Sequence, residues 1–334
     1  MQNTNQTIIR RISTTAISAA LLTMLVGCGG EFNEVETPET CSAEQAVCEE
    51  VNTFVSVQEL EFLRQNSDPI ILDARPNEGD FLNRHIPGAY HAQWGEHRDG
   101  DAYNKLWEDD EQLEEFIQDR GVEADRTVLV YGAGDGSGGD SVAGNLYWTL
   151  DYVGHDDVYL VDGGLAAWID AEYDVVGTGE NDPPTTDFEI ERNEELNATI
   201  DDLQDAIGDD DTVIIDTRRE SEWLGDEERD GTPETGHIPE AVHYHWEDLL
   251  EGGENGEGAT LRPHDELRAE FDDLGFDDAE TTLPYCQSGV RSGYFYAVLK
   301  ELDYSNPVNY DGSWFEWANE YEGDDEYIIV PDEE

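Results

Sequence analysis

Residues 281–292 read TTLPYCQSGVRS. The first five residues have the pattern of a short strand, and from Gly293 apolar residues recur at helical spacing. Cys286 therefore lies at the end of a strand, in a short glycine-containing loop that opens a helix. A thiol in that position faces unpaired backbone N–H groups and the positive end of the helix dipole, and Arg291 adds a positive charge nearby. The pattern predicts a thiol with a lowered pKa.

Two roles are open to this cysteine. A buried, inert thiol is common for this residue type. However, the residues that follow Cys286 include Gln287, Ser288, Gly289 and Arg291, which are not typical of a core. The sequence therefore favours a reactive thiolate over a structural cysteine.

The N-terminus has the pattern of an export signal. An arginine pair precedes an apolar run from Ala16 to Val26, which is too short to span a membrane comfortably. The run ends in LVGC at Cys28, which resembles the bacterial lipobox and implies cleavage before Cys28 and a diacylglycerol on its sulfur. We predict a lipoprotein signal peptide at 1–27 and an acidic flexible tether at 28–52. The predicted location is the cell envelope, at the outer membrane or the cell surface.

The remaining cysteines bear on the redox environment. In an exported protein Cys41 and Cys48 can form a disulfide across a small loop, and the alternative is two unrelated thiols in the tether. In either case Cys286 is the odd cysteine. A free thiol in an oxidising compartment is a liability, which favours a chemical role for it.

The charge balance is strongly acidic. The chain has 17 Lys+Arg against 81 Asp+Glu, for a net charge of −64. Because the acidic residues are spread along the whole chain, they favour a solvated surface adapted to high salt over a site for a basic partner. The same charge argues against nucleic-acid binding. Clear apolar strands and plentiful aromatic residues indicate a folded protein.

The chain repeats itself. Each half has an apolar strand that ends in Asp-x-Arg, followed by a His-Ile-Pro turn and, later, by a strand that ends in an Asp-Gly turn. The copies are IILDAR at 70–75 and VIIDTR at 213–218, HIPGA at 85–89 and HIPEA at 237–241, and YLVDGG at 159–164 and VNYDGS at 308–313. Two successive domains of ordinary size follow from this repeat.

Short apolar strands alternate with helical stretches in both halves. This alternation predicts an α/β protein in which each domain is a parallel sheet flanked by helices on both faces. We place the first domain at 53–178 and the second at 195–331. The segment 179–194, which contains Pro183 and Pro184, is the predicted linker.

These motifs resemble those of rhodanese domains, and the whole chain resembles the tandem-domain thiosulfate sulfurtransferases, including the bacterial type with a C-x-x-G-x-R-S loop. The resemblance runs from about Thr53 to Val330. It implies that the second domain is catalytic and that Cys286 is its catalytic cysteine. It also implies that the loop forms a cradle around the sulfur, built from Gln287, Ser288, Gly289, Val290, Arg291 and Ser292.

The first domain departs from the active pattern. After the strand that ends at Tyr131 the chain runs GAGDGSGG over 132–139, with no cysteine. A glycine-rich loop after a strand can cradle a phosphate, but this one lacks a lysine and contains Asp135. We therefore expect a non-catalytic domain that walls one side of the active cleft.

The resemblance also implies a mechanism. The Cys286 thiolate attacks the outer sulfur of a small anionic donor such as thiosulfate, sulfite leaves, and a persulfide remains on the enzyme. Cyanide or a thiol then accepts the sulfur, so we expect ping-pong kinetics. This chemistry needs no metal and no organic cofactor.

Four charged positions bear on how the loop binds its donor. Arg291 either binds the sulfonate end of the donor or holds the loop through a salt bridge, and we favour donor binding. Asp216 and Arg218 are candidates to support the site, with ion pairing between them as the simpler interpretation. Glu222 stands where some animal members carry a further arginine that contacts the donor, so the donor site is not a copy of theirs.

Three other functions fit the sequence less well than thiosulfate sulfur transfer. The nearest is 3-mercaptopyruvate sulfur transfer, because relatives with that preference share Ser288, Gly289 and Val290 of this loop. A phosphatase is disfavoured, because the loop between Cys286 and Arg291 is one residue shorter than a Cys-x5-Arg phosphate loop. A non-catalytic surface-binding lipoprotein is disfavoured by the presence of Cys286 itself.

Overall fold

The structure is a computed structural model that describes residues 53–100, 104–136, 138–178, 183–253, 258–324 and 326–331. The predicted signal peptide and tether lie outside these residues, as do Cys28, Cys41 and Cys48. In the part of the chain that is described, no helix has the length and apolar character needed to cross a bilayer.

The N-terminal domain is built around a five-stranded parallel sheet. Its strands are β1 (Phe54–Val55), β2 (Ile70–Asp73), β3 (Tyr90–His91), β4 (Val128–Tyr131) and β5 (Val158–Val161). They lie in the order β1-β5-β4-β2-β3. The helices are α1 (Val57–Asn66), α2 (Glu78–Asn83), α3 (Asp110–Gln118), α4 (Gly138–Tyr152) and α5 (Gly164–Asp170).

Both faces of this sheet are buried. Ile70 and Leu72 of β2 belong to the apolar cluster that includes α3 and α4. Ile71, between them, belongs to the cluster that includes Leu60 of α1 and Trp168 of α5. Because successive side chains of a strand point to opposite faces, a strand covered on both sides reads as a continuous apolar run, as β2 does.

The C-terminal domain repeats this plan. Its strands are β6 (Thr212–Asp216), β7 (Val242–His243), β8 (Leu250–Glu251), β9 (Thr260–Leu261) and β10 (Thr281–Tyr285). Its helices are α6 (Ile200–Ala206), α7 (Glu220–Trp223), α8 (His264–Asp273), α9 (Val290–Glu301) and α10 (Ser313–Glu320). Short 3-10 helices occur at Glu194–Leu196, Trp246–Leu249 and Phe276–Asp278.

The second sheet has the strand order of the first. Parallel strands lie in the order β10-β6-β7, and β8 and β9 form a separate antiparallel hairpin. Beyond β10, single parallel bridges join Thr282 to Pro307 and Asn197 to Asn309, which continues the order with its outer strands reduced to bridges. Helices α6 and α10 cover one face, and α8 and α9 cover the other. The predicted α/β fold with two parallel sheets flanked by helices is confirmed.

The two domains meet at a helix crossing. Helices α4 and α9 occupy equivalent positions in their domains and pack against each other at Gly144 and Gly293. A Cβ atom on Gly144 would lie 2.3 Å from the Cα of Tyr294, and one on Gly293 would lie 2.9 Å from the Cα of Asn145. The largest apolar cluster accordingly contains residues of both domains, including Trp148 of α4 and several residues of α9. The crossing therefore requires glycine, because neither backbone has room for a side chain.

Candidate active site

Cys286 lies between the end of β10 and the start of α9, and it is a free cysteine with 1% of its surface exposed. Its own N–H donates to the Ser313 hydroxyl at 3.1 Å, and the N–H of Gly289 donates to the same oxygen at 2.9 Å. Ser313 in turn donates to the carbonyl of Tyr310 at 2.7 Å. A single hydroxyl thus closes the loop around the sulfur.

The thiol is surrounded by donors and positive charge. Burial raises the pKa of the Cys286 thiol, but the Arg291 charge and the N–H groups of Ser292 and Ser288 lower it more, so the net shift is downward. The Ser292 hydroxyl lies 3.7 Å from the sulfur and favours the thiolate further. Donors that stabilise a thiolate also stabilise a persulfide anion one bond further out.

Arg291 is engaged in an ion pair. Its two terminal nitrogens donate to the two carboxylate oxygens of Glu222, at 2.7 and 3.0 Å. Burial raises the pKa of Glu222, but the hydrogen bonds and charge of Arg291, the charge of Arg218 and the N–H of Arg219 together outweigh it, and the pKa falls to about 2. Arg229 also reaches Glu222, with its Nε 3.2 Å from the carboxylate. Of the two roles considered for Arg291, this geometry favours the salt bridge that holds the loop.

An open cavity of about 430 Å³ adjoins the loop. Its lining residues are Asn104, Glu227, Glu228, Arg229, Asp230, Gln287, Ser288 and Phe315. Asn104 comes from the N-terminal domain, so both domains form the walls. The amide of Gln287 faces no hydrogen-bond partner among the residues that the structure describes, although both of its polar atoms are buried.

Asp216 and Arg218 form a bidentate ion pair, with Arg218 Nη2 at 2.6 Å from the carboxylate, and Tyr285 donates to the same carboxylate at 2.6 Å. The domain without a cysteine has the same arrangement, made by Asp73, Arg75 and Tyr131 with the same distances. A network present in both domains holds the end of the strand, so this geometry favours ion pairing over a direct role in chemistry.

The loop of the N-terminal domain is closed. A Cβ atom on Gly132, the position that corresponds to Cys286, would lie 2.2 Å from the carbonyl oxygen of Gly139. The Asp140 carboxylate fills the loop from within, accepting N–H groups of Gly134 at 2.5 Å and Gly136 at 3.0 Å. This loop therefore has room neither for a thiol nor for an external anion.

Sequence reasoning missed several contacts of the site. The sequence could have indicated the role of Ser313, because this residue belongs to the Asp-Gly-Ser-Trp motif that ends the second repeat. No sequence pattern indicated Arg229, since it is a single basic residue within an acidic stretch. Arg98 of the N-terminal domain donates to the carbonyl of Ser288 at 3.0 Å, and no local pattern connects residues so far apart in the chain.

Comparisons with known proteins agree with this geometry. The family model described as a rhodanese-like domain matches twice, at 56–171 and 199–320. A protein of Haloferax volcanii is 33% identical over 267 residues, which cover 76% of this chain and 88% of that protein. A thiosulfate sulfurtransferase of Corynebacterium glutamicum is 31% identical over 78% of this chain and 82% of its own length. A thiosulfate sulfurtransferase of Pseudomonas aeruginosa is 29% identical, and the match covers 77% of this chain and 90% of that protein.

Solved structures share the fold. The crystal structure of YnjE superposes with a TM-score of 0.73 at 22% identity, covering 84% of this chain and 69% of that one. An anaerobic ergothioneine biosynthesis enzyme from Chlorobium limicola superposes with a TM-score of 0.72 at 22% identity, covering 84% and 71%.

The two family matches span most of the chain, and named sulfurtransferases are similar to it over more than three quarters of its length. The predicted enzyme class, a sulfurtransferase, is thereby confirmed. With its duplicated sheet, its duplicated Asp-Arg-Tyr network and one cysteine loop, the chain belongs to the tandem-domain rhodanese family.

Proposed function

We propose that this enzyme transfers the outer sulfur of thiosulfate to cyanide or to a thiol through a persulfide on Cys286. The observation that carries the proposal is the setting of this thiol, a buried sulfur whose pKa is lowered by Arg291 and by N–H groups of its own loop. Such a loop stabilises an anion on the sulfur before and after transfer.

The proposed chemistry balances without a cofactor. The Cys286 thiolate attacks the outer sulfur of thiosulfate, the sulfur–sulfur bond of the donor breaks, and sulfite leaves with the electron pair. The acceptor then attacks the outer sulfur of the persulfide, and the electron pair of that bond returns to Cys286 as thiolate. With cyanide as acceptor the product is thiocyanate.

Arg229 is the best placed group to bind the anionic end of the donor. It lines the cavity beside Gln287 and Ser288, and its side chain is 36% exposed. Its guanidinium pairs with Glu222 and Glu227 at 3.2 and 3.3 Å, which are longer contacts than the 2.7 and 3.0 Å that hold both terminal nitrogens of Arg291 on Glu222. A guanidinium at the mouth and buried loop N–H groups further in match a small dianion with a transferable sulfur. Thiosulfate is therefore the first candidate donor and 3-mercaptopyruvate the second.

Steady-state kinetics test this proposal. Because sulfite must leave before cyanide reacts, we expect initial rates at several fixed cyanide concentrations to give parallel lines in double-reciprocal plots against thiosulfate. The assay measures thiocyanate in concentrated salt, which suits a chain of net charge −64. Intersecting lines would indicate that donor and acceptor bind together. A higher kcat/KM with 3-mercaptopyruvate would reverse the order of the donors.

We further propose that the protein is exported and lipid-anchored to the cell envelope at Cys28. The support is the arginine pair, the short apolar run and LVGC at its end, all in the sequence. A Cys28→Ser variant should then retain its signal peptide, migrate as a larger protein and incorporate no labelled fatty acid. If the variant migrates and takes up the label like the unchanged protein, the lipid anchor at Cys28 is refuted.

A further inference from the structure

A segment of the N-terminal domain reaches across to the cysteine loop of the other domain. It follows β3 and contains Arg98, whose side chain is 0% exposed. The Nε of Arg98 donates to the carbonyl of Asn104 at 2.7 Å, within the same segment. One of its terminal nitrogens contacts the C-terminal domain, so the guanidinium joins the two domains.

The contacts of Arg98 converge on the cysteine loop. One terminal nitrogen donates to the carbonyl of Ser288 at 3.0 Å and to Asp311 at 2.7 Å. The other donates to the side-chain oxygen of Asn145 at 3.2 Å. The amide nitrogen of Asn145 then donates to the carbonyl of Gly289 at 3.2 Å. Two successive carbonyls of the cysteine loop are thus held by side chains of the N-terminal domain.

Holding these carbonyls fixes the direction of the loop N–H groups. In a planar trans peptide the carbonyl and the N–H point in opposite directions. The peptide that carries the Ser288 carbonyl also carries the N–H of Gly289, which donates to Ser313 at 2.9 Å. Ser313 also accepts the N–H of Cys286, at 3.1 Å. Arg98 therefore fixes the Ser288–Gly289 peptide with its N–H on Ser313, whose hydroxyl lies 4.0 Å from the Cys286 sulfur.

The opposite side of the molecule offers an internal comparison. There the loop without a cysteine meets the β8–β9 hairpin of the other domain through backbone groups. The carbonyl of Gly134, which corresponds to Ser288, accepts the N–H of Ala259 at 2.7 Å. Asp162, which corresponds to Asp311, accepts the N–H of Leu261 at 2.9 Å. The arginine contact to the loop carbonyl belongs to the side that carries the thiol.

We propose that Arg98 is a positioning residue through which the N-terminal domain sets the reactivity of Cys286. The proposal rests on the proposed function, since it assigns the silent domain a part in the same sulfur chemistry. Arg98 does not touch the sulfur. It acts by holding the Ser288–Gly289 peptide, whose N–H donates to the Ser313 hydroxyl beside the sulfur. The adjoining peptide carries the Ser288 N–H, one of the donors that stabilise the thiolate.

Arg98→Lys is the variant to test, because it keeps the charge and loses the fork that holds a carbonyl and a carboxylate together. The matched control is Lys105→Met, which removes another ion pair between the same segment and the C-terminal domain, Lys105 to Glu316 at 2.8 Å. The readout is the rate of alkylation by iodoacetamide against pH, followed on the peptide that contains Cys286. Thermal unfolding and kcat and KM for thiosulfate are measured alongside.

In the wild-type protein the rate of alkylation should begin to fall only at a pH below about 8.5, the pKa of an ordinary thiol. In Arg98→Lys the fall should begin at a higher pH, and kcat should drop about tenfold with little change in KM, because one charge-assisted hydrogen bond is lost. Lys105→Met should follow the unchanged protein. If Arg98→Lys is folded and alkylates with the unchanged pH profile, the proposal is wrong.

A second variant covers the case in which Arg98→Lys fails to fold. Asn145→Ser shortens the side chain that joins Arg98 to the Gly289 carbonyl, and it should shift the alkylation profile in the same direction. An unchanged profile in that variant also overturns the proposal. Since alkylation requires no sulfur transfer, a shifted profile in a protein inactive toward thiosulfate supports the role of Arg98 and refutes only the proposed donor.

Discussion

We expect Cys286→Ser to lose thiocyanate formation from thiosulfate and cyanide by more than about a thousandfold, as happens when an enzyme loses its nucleophile. A serine hydroxyl is not ionised near neutral pH, and the donors that lower the thiol pKa cannot supply the missing sulfur chemistry. The substitution is nearly isosteric, so the loop should keep its shape around Ser313.

Thermal unfolding of Cys286→Ser, measured in the same salt, serves as the control. Its midpoint should stay within a few degrees of the unchanged protein, because the hydroxyl contacts to the replaced sulfur are long, 3.7 Å from Ser292 and 4.0 Å from Ser313. A folded serine variant with most of its activity intact would remove Cys286 from the mechanism. The binding role considered for the family fold would then become the better account.

The second large effect is on stability. We expect Gly144→Ala to lower the free energy of unfolding by about 3 kcal/mol or more, although alanine is the better helix former by about 1 kcal/mol. The new Cβ would lie 2.3 Å from the Cα of Tyr294, and the clashing atoms belong to the backbone of α9. The two helices must separate, and α9 carries the cysteine loop at its start, so activity should fall as well.

Gly138→Ala is the matched control, because Gly138 lies in the same helix and a Cβ atom there meets nothing within 4 Å. We expect this variant to be neutral or to gain up to about 1 kcal/mol. Urea unfolding at one fixed salt concentration compares the two. Equal stability of the two variants would mean that α4 and α9 do not pack as closely as the structure has them.

The sequence alone predicted the parts of the site that are local. The strand, the glycine loop and the helix around Cys286 are contiguous, so residue pattern and helix electrostatics were enough to indicate a lowered thiol pKa, and the structure agrees in direction. The duplicated motifs likewise predicted two parallel sheets, because each motif lies at the end of a buried strand.

The contacts that sequence reasoning missed are long-range. Glu222 pairs with Arg291 across 69 residues, and Arg98 reaches Asp311 across 213. Side-chain pairing at such separation depends on how the two sheets are placed, which no local pattern specifies. The loop of the N-terminal domain is a second example. Its sequence showed that the cysteine is missing, but it did not show that Asp140 occupies the interior of the loop.

The most direct test of the account is the mass of the Cys286 peptide after the enzyme has been incubated with thiosulfate and no acceptor. We expect a gain of one sulfur atom on this peptide, and its loss with formation of thiocyanate once cyanide is added. A folded enzyme with reduced Cys286 that turns over thiosulfate and cyanide yet never carries the added sulfur would contradict a persulfide at this residue.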